Sequence, residues 1–369
     1  MKKTLTITFH SSDNNGSFLQ AYALQTVLQK EFNVQNQIIN LQTKEQRRLY
    51  SILRPWNSMS NIIKNIISLT HYRKLKRRKK RFINTRNNFL RQTKICTEVE
   101  EVVRLANSAN INIVGSDQIW NTQAHDFSPA YFLPNIKTKK ISYAVSCGSH
   151  ACRDLIKEYQ KEIEQFSLIG VRETSMIEVL RAFGQEAQVT VDPTCLLDAE
   201  DYSNLYQNKP LMQDEYIFLY SINFNETILK TARQVSRALG VPVITAFTSY
   251  SVIRCKKYGI KVIWDASPSE FLNFMVNAKL VLTNSFHGTV FSTIFRKNFF
   301  HVCEESNGQF IRDDRIDDFL DAVNLSRNIS LSTAPDFLLN NMQVNYNGFE
   351  KKLKDLRAES LKFLRDALN

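Results

Sequence analysis

Hydrophobic positions along the chain follow two alternating patterns. Short runs rich in β-branched and aromatic residues, such as TLTITFH (4–10) and KLVLTNS (279–285), are typical of buried strands. Between many of these runs, apolar residues recur every three or four positions, as in FLQAYALQTVLQKEF (18–32), and this spacing predicts amphipathic helices. Because strands separated by helix-length segments favour parallel sheets covered by helices, the pattern indicates an α/β protein.

The predicted strands form two series on either side of DPTCLLDAEDYS (192–203). The first series is 4–10, 36–41, 111–116, 141–147, 168–173 and 188–193, and the second is 216–222, 241–247, 261–264, 279–285 and 298–303. Two such series predict two Rossmann-like domains whose strands end at a ligand cleft between them.

We therefore expect one Rossmann-like domain over 1–196, with a basic insertion at 44–90, and a second one over 197–345. In the last stretch, 346–369, regularly spaced apolar residues form one stripe on a long terminal helix. We expect that helix to pack back across both domains.

Composition narrows the class of protein. The hydrophobic fraction of 43% is typical of a soluble globular protein, and no apolar run approaches the roughly 20 residues that span a bilayer. The start, MKKTLTITFH, lacks the long apolar stretch and the cleavage site of a signal peptide. The six cysteines are scattered without Cys-x-x-Cys pairs or His neighbours at metal spacing. These features predict reduced thiols, a cytoplasmic location and no bound metal.

Positive charge is concentrated in one segment. Residues 44–81 contain thirteen Lys or Arg and one Glu, so this segment alone carries the formal net charge of the whole chain, +12. A nucleic-acid-binding protein spreads its basic residues along a groove, so this distribution argues against nucleic acid as a partner.

The same segment contains an apolar helical face. Four isoleucines at 62, 63, 66 and 67 share one side of a predicted helix, and a cationic run at 73–81 follows. This combination, with Trp56 nearby, is typical of helices that lie on anionic membrane surfaces, so one interpretation is that 49–81 contacts lipid at the inner face of a membrane. The alternative is an exposed insertion whose isoleucines pack on the first domain while its charges are solvated.

Small polar residues follow the first predicted strand. SSDNNGSFLQAYALQ (11–25) contains Asn15 and Gly16 where a helix begins, and exposed amides at a helix start attract anions. The stretch is not Gly-x-Gly-x-x-Gly, so it does not predict a dinucleotide site. It is either a ligand-binding loop or an ordinary helix cap.

A second polar cluster follows a strand in VGSDQIWN (114–121), which contains Asp117, Gln118, Trp120 and Asn121. An indole can stack on a sugar ring while carboxylate and amide groups bind its hydroxyls. The alternative is a buried tryptophan surrounded by polar capping groups.

Arg172 stands at the end of another predicted strand, in VRETSMIEVL (171–180). A guanidinium there can bind a phosphate or carboxylate through two parallel hydrogen bonds. The alternative is an ion pair with Glu173.

His287 lies between a strand-like and a helix-like run in TNSFHGTVFSTIF (283–295). A solitary histidine is usually a core residue satisfied by hydrogen bonds, but this position at a strand end favours proton chemistry. Gly288 permits a close backbone approach, and Thr289 helps to open the helix that follows. Three cations follow closely and are candidates for the same cleft: Lys297, Arg312 and Arg315.

Five stretches occur together and in one order: NNGSFLQAYALQ (14–25), VGSDQIWN (114–121), GVRETS (170–175), VDPTCLL (191–197) and TNSFHGTVFSTIF (283–295). In this combination the chain resembles the polysaccharide pyruvyl transferase family, from the first strand to about residue 325. The resemblance implies a two-domain, glycosyltransferase-B-like fold and transfer of pyruvate from phosphoenolpyruvate to a cell-surface sugar as a cyclic ketal. It also implies that His287 is the catalytic histidine and Arg172 a donor-binding arginine. No cofactor is expected besides phosphoenolpyruvate as co-substrate.

The chain departs from some members of this family at Ser285, where those members have an arginine two residues before the histidine. We expect one of the three cations named above to replace that arginine. Ser285 and the amides of Gly288 and Thr289 are expected to form part of the anion site. The sugar or lipid-linked acceptor is expected on the first domain, at the candidate residues of 11–25 and 114–121.

The sequence leaves two other functions open. One is a sugar-nucleotide-dependent glycosyltransferase of the same fold, which would bind a diphosphate at the helix start in the second domain. The other is a non-catalytic, membrane-associated protein of polysaccharide assembly, which would keep the basic segment but bind no donor.

Overall fold

The structure, a computed structural model, describes residues 2–148, 154, 156–246, 251–326, 329–330 and 335–369. The chain divides into two compact units. Unit 1 comprises residues 1–51, 84–197 and 353–369, and unit 2 comprises residues 52–83 and 198–352.

Unit 1 is built on a seven-stranded parallel sheet with the order β3-β2-β1-β4-β5-β6-β7. Its strands are β1 (Lys3–Ile7), β2 (Gln35–Leu41), β3 (Gln92–Cys96), β4 (Ile111–Val114), β5 (Lys139–Val145), β6 (Leu168–Val171) and β7 (Gln188–Val189). The central strand β4, INIV, is buried at every position. Strands of a parallel sheet are covered on both faces, which explains why the sequence shows them as continuous apolar runs.

Unit 2 is built on a six-stranded parallel sheet with the order β10-β9-β8-β11-β12-β15, and it also carries the antiparallel pair β13–β14. The strands are β8 (Ile217–Tyr220), β9 (Val243–Ala246), β10 (Lys261–Ile263), β11 (Leu280–Thr283), β12 (Phe299–Val302), β13 (Glu304–Ser306), β14 (Gln309–Ile311) and β15 (Ile329–Ser330). The predicted α/β class with two Rossmann-like sheets is confirmed.

Helices connect the strands in both units. They are α1 (Asn15–Phe32), α2 (Lys44–Leu49), α3 (Met59–Thr70), α4 (Tyr72–Phe89), α5 (Val99–Ala106), α6 (Gln160–Ile163), α7 (Ser175–Ala182), α8 (Glu226–Leu239), α9 (Val252–Lys257), α10 (Pro268–Asn277), α11 (Phe286–Ile294), α12 (Asp314–Ala322), α13 (Pro335–Asn340) and α14 (Phe349–Leu368). Short 3-10 segments lie at Pro129–Phe132, Lys157–Tyr159, Pro193–Leu196 and Ala199–Leu205. The predicted terminal helix is confirmed as α14.

Each sheet has one point at which the strand order reverses direction. In unit 1 it lies between β1 and β4, and in unit 2 between β8 and β11. Parallel α/β sheets bind ligands outside the carboxyl ends of the two strands that flank such a switch point. The loops that follow β1, β4, β8 and β11 are therefore the places to look for a site.

The units differ from the predicted domains in two respects. Residues 52–83, predicted as part of an insertion in the first domain, group with unit 2. Residues 353–369 group with unit 1, where Arg357 Nη2 donates to the carbonyl of Leu197 at 2.7 Å and Val191 N donates to Ser360 Oγ at 3.0 Å. Neither arrangement follows from hydrophobic periodicity, because both depend on contacts between segments far apart in the sequence.

The cysteines differ in state. Cys96, Cys195, Cys255 and Cys303 are buried free thiols, as predicted. Cys147 is disulfide-bonded, so the prediction of reduced thiols is wrong for this residue. Cys152 and His150 lie outside the described residues. Along the described part of the chain, no helix is both long enough and apolar enough to cross a membrane.

Candidate active site

The switch point of unit 1 brings together the loops after β1 and β4. Asn14 caps α1, because its side-chain oxygen accepts from the amide of Gly16 at 2.9 Å. One turn into the helix, Ser17 Oγ donates to Asp117 Oδ2 at 2.9 Å. Two stretches that are separated by about a hundred residues in the sequence are thus joined by one buried hydrogen bond. The stretches 11–25 and 114–121 therefore meet at one edge of the sheet.

Within the first of these loops, Gly16 and Asn15 have different roles. The Gly16 amide is used in the helix cap, so here the ordinary-cap alternative is correct. The Asn15 side chain is buried, and its oxygen has no hydrogen-bond partner among the described residues. A buried carboxamide oxygen without a partner is costly in a folded protein, and a ligand hydroxyl would satisfy it.

Trp120 is a core residue rather than a sugar platform. Its side chain is 0% exposed, with its ring stacked on Phe132 and in edge contact with Phe166. The prediction that this indole binds a sugar is therefore wrong, because neighbouring rings cover it. Gln118 and Asn121 keep part of their surface exposed, although Asn121 Oδ1 accepts from the amide of Gln123 at 3.1 Å.

Arg172 forms a buried ion pair with a residue that the sequence did not suggest. Its Nη2 lies 2.8 Å from Asp192 Oδ2 and donates to Ser116 Oγ at 2.7 Å. The side chains of the pair are 3% and 0% exposed. Glu173 accepts from Ser146 Oγ at 2.9 Å and from the amide of Cys147 at 3.1 Å. A donor contact of Arg172 stays a prediction.

Asp192 is a residue of this buried cluster that sequence reasoning missed. Its Oδ1 accepts from the amide of Thr194 at 3.0 Å and caps the 3-10 segment that begins at Pro193, while Oδ2 holds the guanidinium of Arg172. The signal was present in VDPTCLL, because Asp followed by Pro is a frequent helix start. The partner, however, could only be found from the fold. Three of the five stretches quoted above therefore meet in one buried polar cluster.

His287 occupies the switch point of unit 2. It lies in the first turn of α11, directly after β11, and its side chain is 8% exposed. Across the switch point, the loop after β8 is tied to the loop after β11, because Ile222 N donates to Asn284 Oδ1 at 3.0 Å. The expected position of His287 at a strand end in the second half of the chain is thus confirmed.

Two amides at the start of α11 are hydrogen-bonded to Ser285. Ser285 Oγ accepts from the Gly288 amide at 3.4 Å, and the Thr289 amide donates to the Ser285 carbonyl at 3.0 Å. Both amides thus have partners within the helix, and the anion site from Ser285 and these two amides stays a prediction. The N–H groups of the first helical positions are those that a helix does not satisfy internally, and here they belong to Phe286 and His287.

Gly288 is required for packing, which gives a prediction. A Cβ atom at this position would lie 2.1 Å from Thr283 Oγ1 and 2.8 Å from Tyr220 Cδ1. Because overpacking of a tight core forces neighbours to move, we expect Gly288→Ala to lower the free energy of unfolding by about 1–3 kcal/mol. Urea unfolding measures this loss. In the Thr283→Ala background the further loss should be smaller, and an equal loss in both backgrounds would contradict the predicted clash.

The three candidate cations lie in different places. Lys297 follows the end of α11, at the opposite end from His287, and its Nζ donates to the carbonyl of Val276 at 2.7 Å. Its predicted donor role is wrong, since it precedes β12 and so lies at the amino edge of the sheet. Arg312 is exposed, and its Nε lies 2.6 Å from Asp317 Oδ2. Arg315 lies in the first turn of α12, and its side chain is buried beside Asp313.

Arg315 belongs to a buried group around His301, which sequence reasoning did not select. Arg315 Nε donates to Asp313 Oδ1 at 2.8 Å, and His301 Nδ1 lies 3.1 Å from Thr289 Oγ1 in α11. Burial lowers the pKa of His301 to about 4, while the carboxylate of Asp313 opposes this shift. His301 is therefore neutral near pH 7 and suits a positioning role for α11 rather than an acid role.

Other candidate sites are weaker. His10 is buried, its Nδ1 donates to the carbonyl of Thr8 at 3.1 Å, and burial lowers its pKa to about 4. No group of His, Cys, Asp or Glu side chains among the described residues is arranged to hold a metal ion. A cavity of about 530 Å³ in unit 2 is lined mainly by asparagines and contains none of the candidate site residues.

Solved structures share this fold. They include the UDP-GlcNAc 2-epimerase of Methanocaldococcus jannaschii in complex with UDP-GlcNAc and UDP (14% identity, TM-score 0.51, 96% of this chain and 99% of that chain). The UDP-N-acetylglucosamine 2-epimerase of Rickettsia bellii is similar at 9% identity and TM-score 0.51, over 99% of this chain and 96% of that chain. An O-GlcNAc transferase mutant of Thermobaculum terrenum has 8% identity and TM-score 0.53, over 100% of this chain and 66% of that chain. These identities show the fold alone, which is of the glycosyltransferase-B type.

Comparison of the sequence with family models identifies a family, whereas the solved structures show only the fold. No protein of curated function matches the chain. The family model described as polysaccharide pyruvyl transferase matches residues 14–304, a span that includes both switch points, the buried cluster around Arg172 and the helix start with His287. This match covers most of the chain, and the chain therefore belongs to the polysaccharide pyruvyl transferase family.

Proposed function

We propose that the protein transfers a pyruvyl group from phosphoenolpyruvate to two hydroxyls of one sugar, forming a cyclic ketal. The acceptor is a cell-surface polysaccharide or its lipid-linked precursor. Family membership supports the transferase class, and the observation that carries the assignment of the catalytic group is the position of His287 at the switch point of unit 2. Ligands of parallel α/β sheets bind at this position.

The reaction needs one group that both gives and takes protons. His287 protonates the methylene carbon of phosphoenolpyruvate, which makes the adjacent carbon electrophilic, and a sugar hydroxyl adds there and returns a proton to the imidazole. The carbon–oxygen bond to phosphate then breaks, and the second hydroxyl closes the ring. Its proton leaves with the phosphate as hydrogen phosphate, so atoms and charge balance. A well-placed histidine suits this cycle because imidazole exchanges protons near neutral pH.

Other residues near the two switch points are proposed to bind the donor or the acceptor without taking part in proton transfer. In unit 2, Arg315 is the candidate that best replaces the missing arginine, and the first amides of α11 face the same edge of the sheet. In unit 1, Asn15 and Asp117 are proposed to bind acceptor hydroxyls, with Gln118 as a further amide. Arg172 is proposed to bind the phosphate or carboxylate of the donor, with its guanidinium oriented by Asp192.

A donor-binding experiment tests this function. Phosphoenolpyruvate at about 100 times its Kd stabilises the protein by about 2.7 kcal/mol, so we expect a rise in the thermal unfolding temperature. Pyruvate and inorganic phosphate, each of which carries half of the donor, should give smaller rises. Release of phosphate from phosphoenolpyruvate should then depend on an added polysaccharide fraction.

UDP-GlcNAc is the competing donor in the same experiment. It is bound in the solved epimerase of the same fold, although that likeness speaks for the fold alone. A rise with UDP-GlcNAc and none with phosphoenolpyruvate would contradict the proposal and favour a sugar-nucleotide enzyme.

A further inference from the structure

Helix α3 exposes apolar side chains and buries polar ones, which is the reverse of an ordinary surface helix. Met59, Ile63 and Ile66 are each more than half exposed, and they share one face through their spacing of three and four residues. The polar residues Asn65 and Ser68 are buried on the other side. A surface helix normally buries its apolar stripe and exposes its polar one, so this orientation needs an explanation.

Specific contacts fix α3 in this orientation. Asn65 Oδ1 accepts from the amide of Arg54 at 2.8 Å, and Asn65 Nδ2 donates to the carbonyl of the same residue at 2.9 Å. Directly after the helix, the ring of His71 stacks on Trp264 with 3.8 Å between centroids. Since a buried carboxamide with both partners would lose them if the helix turned over, the apolar face is held outward.

The earlier alternative for these isoleucines is therefore wrong. They were expected to pack on the first domain, but Ile63 and Ile66 are exposed, and Ile67 packs in a cluster of unit 2 with Leu75 and Trp264. The outward face is extended by Leu69, which is also about half exposed.

Exposed cations follow in α4, the next helix along the chain. Helix α4 is anchored to unit 2 by Arg77, whose Nη1 lies 3.0 Å from Asp265 Oδ2, and by Arg81, whose Nη1 lies 2.8 Å from Glu270 Oε1. Those two arginines are used in holding the helix. Exposed cations that remain along α4 are Arg73, Lys74, Lys76 and Lys80.

Two exposed amphipathic aromatic residues flank α3 in the sequence. Trp56 precedes α3 and Tyr72 begins α4, and both are exposed. Tryptophan and tyrosine are enriched where proteins meet the boundary between lipid headgroups and acyl chains. We define the α3–α4 surface as Trp56, the outward residues of α3 (Met59, Ile63, Ile66, Leu69), Tyr72 and the four exposed cations of α4.

We propose that the α3–α4 surface docks onto an anionic lipid bilayer. The apolar face of α3 enters the boundary between headgroups and acyl chains, while the cations of α4 contact lipid phosphates. A second copy of this chain is a poorer occupant, because two such surfaces would bring like charges together. The docking concerns a surface outside both switch points, so it goes beyond the proposed function and holds or fails independently of it.

Vesicle flotation of the full chain tests the proposal. The protein should float with phosphatidylcholine vesicles that contain phosphatidylglycerol and much less with phosphatidylcholine alone, and added salt should weaken binding because it screens the charges. Changing Arg73, Lys74, Lys76 and Lys80 to Gln should lower the partition coefficient by roughly two to three orders of magnitude, since each basic residue near such a surface contributes about fivefold. The matched control changes four exposed lysines of α14 to Gln: Lys351, Lys352, Lys354 and Lys362. That control has the same net charge but should still float.

A second variant tests the apolar face. Ile63→Ser with Ile66→Ser should lower binding by roughly tenfold or more, because two side chains that enter the bilayer are lost. Both residues are exposed, so the unfolding temperature should stay unchanged. Equal flotation of native protein and both variants would overturn the proposal. So would a native dimer, seen by analytical ultracentrifugation without vesicles, that Ile63→Ser/Ile66→Ser converts to a monomer, because the occupant would then be a second copy.

Discussion

Replacing His287 with glutamine is expected to lower kcat/KM for ketal formation by about 10²–10⁴-fold, the range that a positioned acid–base group contributes. Glutamine keeps a similar length and is a good helix former, so α11 should remain intact. It cannot deliver a proton to the methylene carbon of phosphoenolpyruvate. The measurement is the rate of phosphate release with acceptor present.

Two comparisons separate catalysis from binding and folding. The control variant is His125→Gln, which changes an exposed imidazole of unit 1 and should leave the rate unchanged. Stabilisation by phosphoenolpyruvate should survive in His287→Gln, because other groups bind the donor. Near-normal turnover of His287→Gln would refute its role as the acid, whereas loss of donor binding would make it a ligand-binding residue.

Replacing Asp192 with alanine is expected to lower the free energy of unfolding by about 3–5 kcal/mol, because the buried guanidinium of Arg172 would lose the carboxylate that lies beside it. The pair is almost completely buried, with 2.8 Å between Arg172 Nη2 and Asp192 Oδ2, so water cannot replace the lost carboxylate. Asp192→Ala also removes the cap of the 3-10 segment after it. Urea unfolding followed by circular dichroism measures the loss.

An exposed pair provides the matched control for this result. Asp317 lies 2.6 Å from Arg312 near the surface of unit 2, and Asp317→Ala should cost no more than about 1 kcal/mol because solvent screens such pairs. In a double mutant, Arg172→Met with Asp192→Leu should cost less than the sum of the two single changes, since no unpaired charge remains. If Asp192→Ala costs as little as Asp317→Ala, the buried pair is not a determinant of stability.

The fold was largely predictable because parallel sheets leave a strong local signal. Strands such as β4 and β11 are apolar at nearly every position, and amphipathic helices such as α8 separate them. What periodicity cannot supply is the strand order or the unit to which a segment belongs. The grouping of 52–83 with unit 2 depends on contacts such as Arg81 with Glu270, between residues almost two hundred positions apart.

The candidate site was predictable where chemistry and chain position coincide. His287 was found because a histidine directly after a strand must lie at the carboxyl edge of a parallel sheet. The errors concern side-chain partners. The sequence did not suggest Asp192 as a partner of Arg172, and the ring of Trp120 stacks on Phe132 where a sugar ring was expected. A sequence shows which residues are near in the chain, while the partner of a buried group depends on the packing of distant segments.

Helix α14 is synthesised last but belongs to unit 1, the unit that is synthesised first. Its buried residues Phe363 and Leu364 belong to unit 1, and its Arg357 is bonded to the backbone carbonyl of Leu197, just before the chain enters unit 2. Domains usually fold in turn as they leave the ribosome. Unit 1 is the first to be synthesised, but it lacks α14 beside β6 and β7 until more than 150 further residues have been translated.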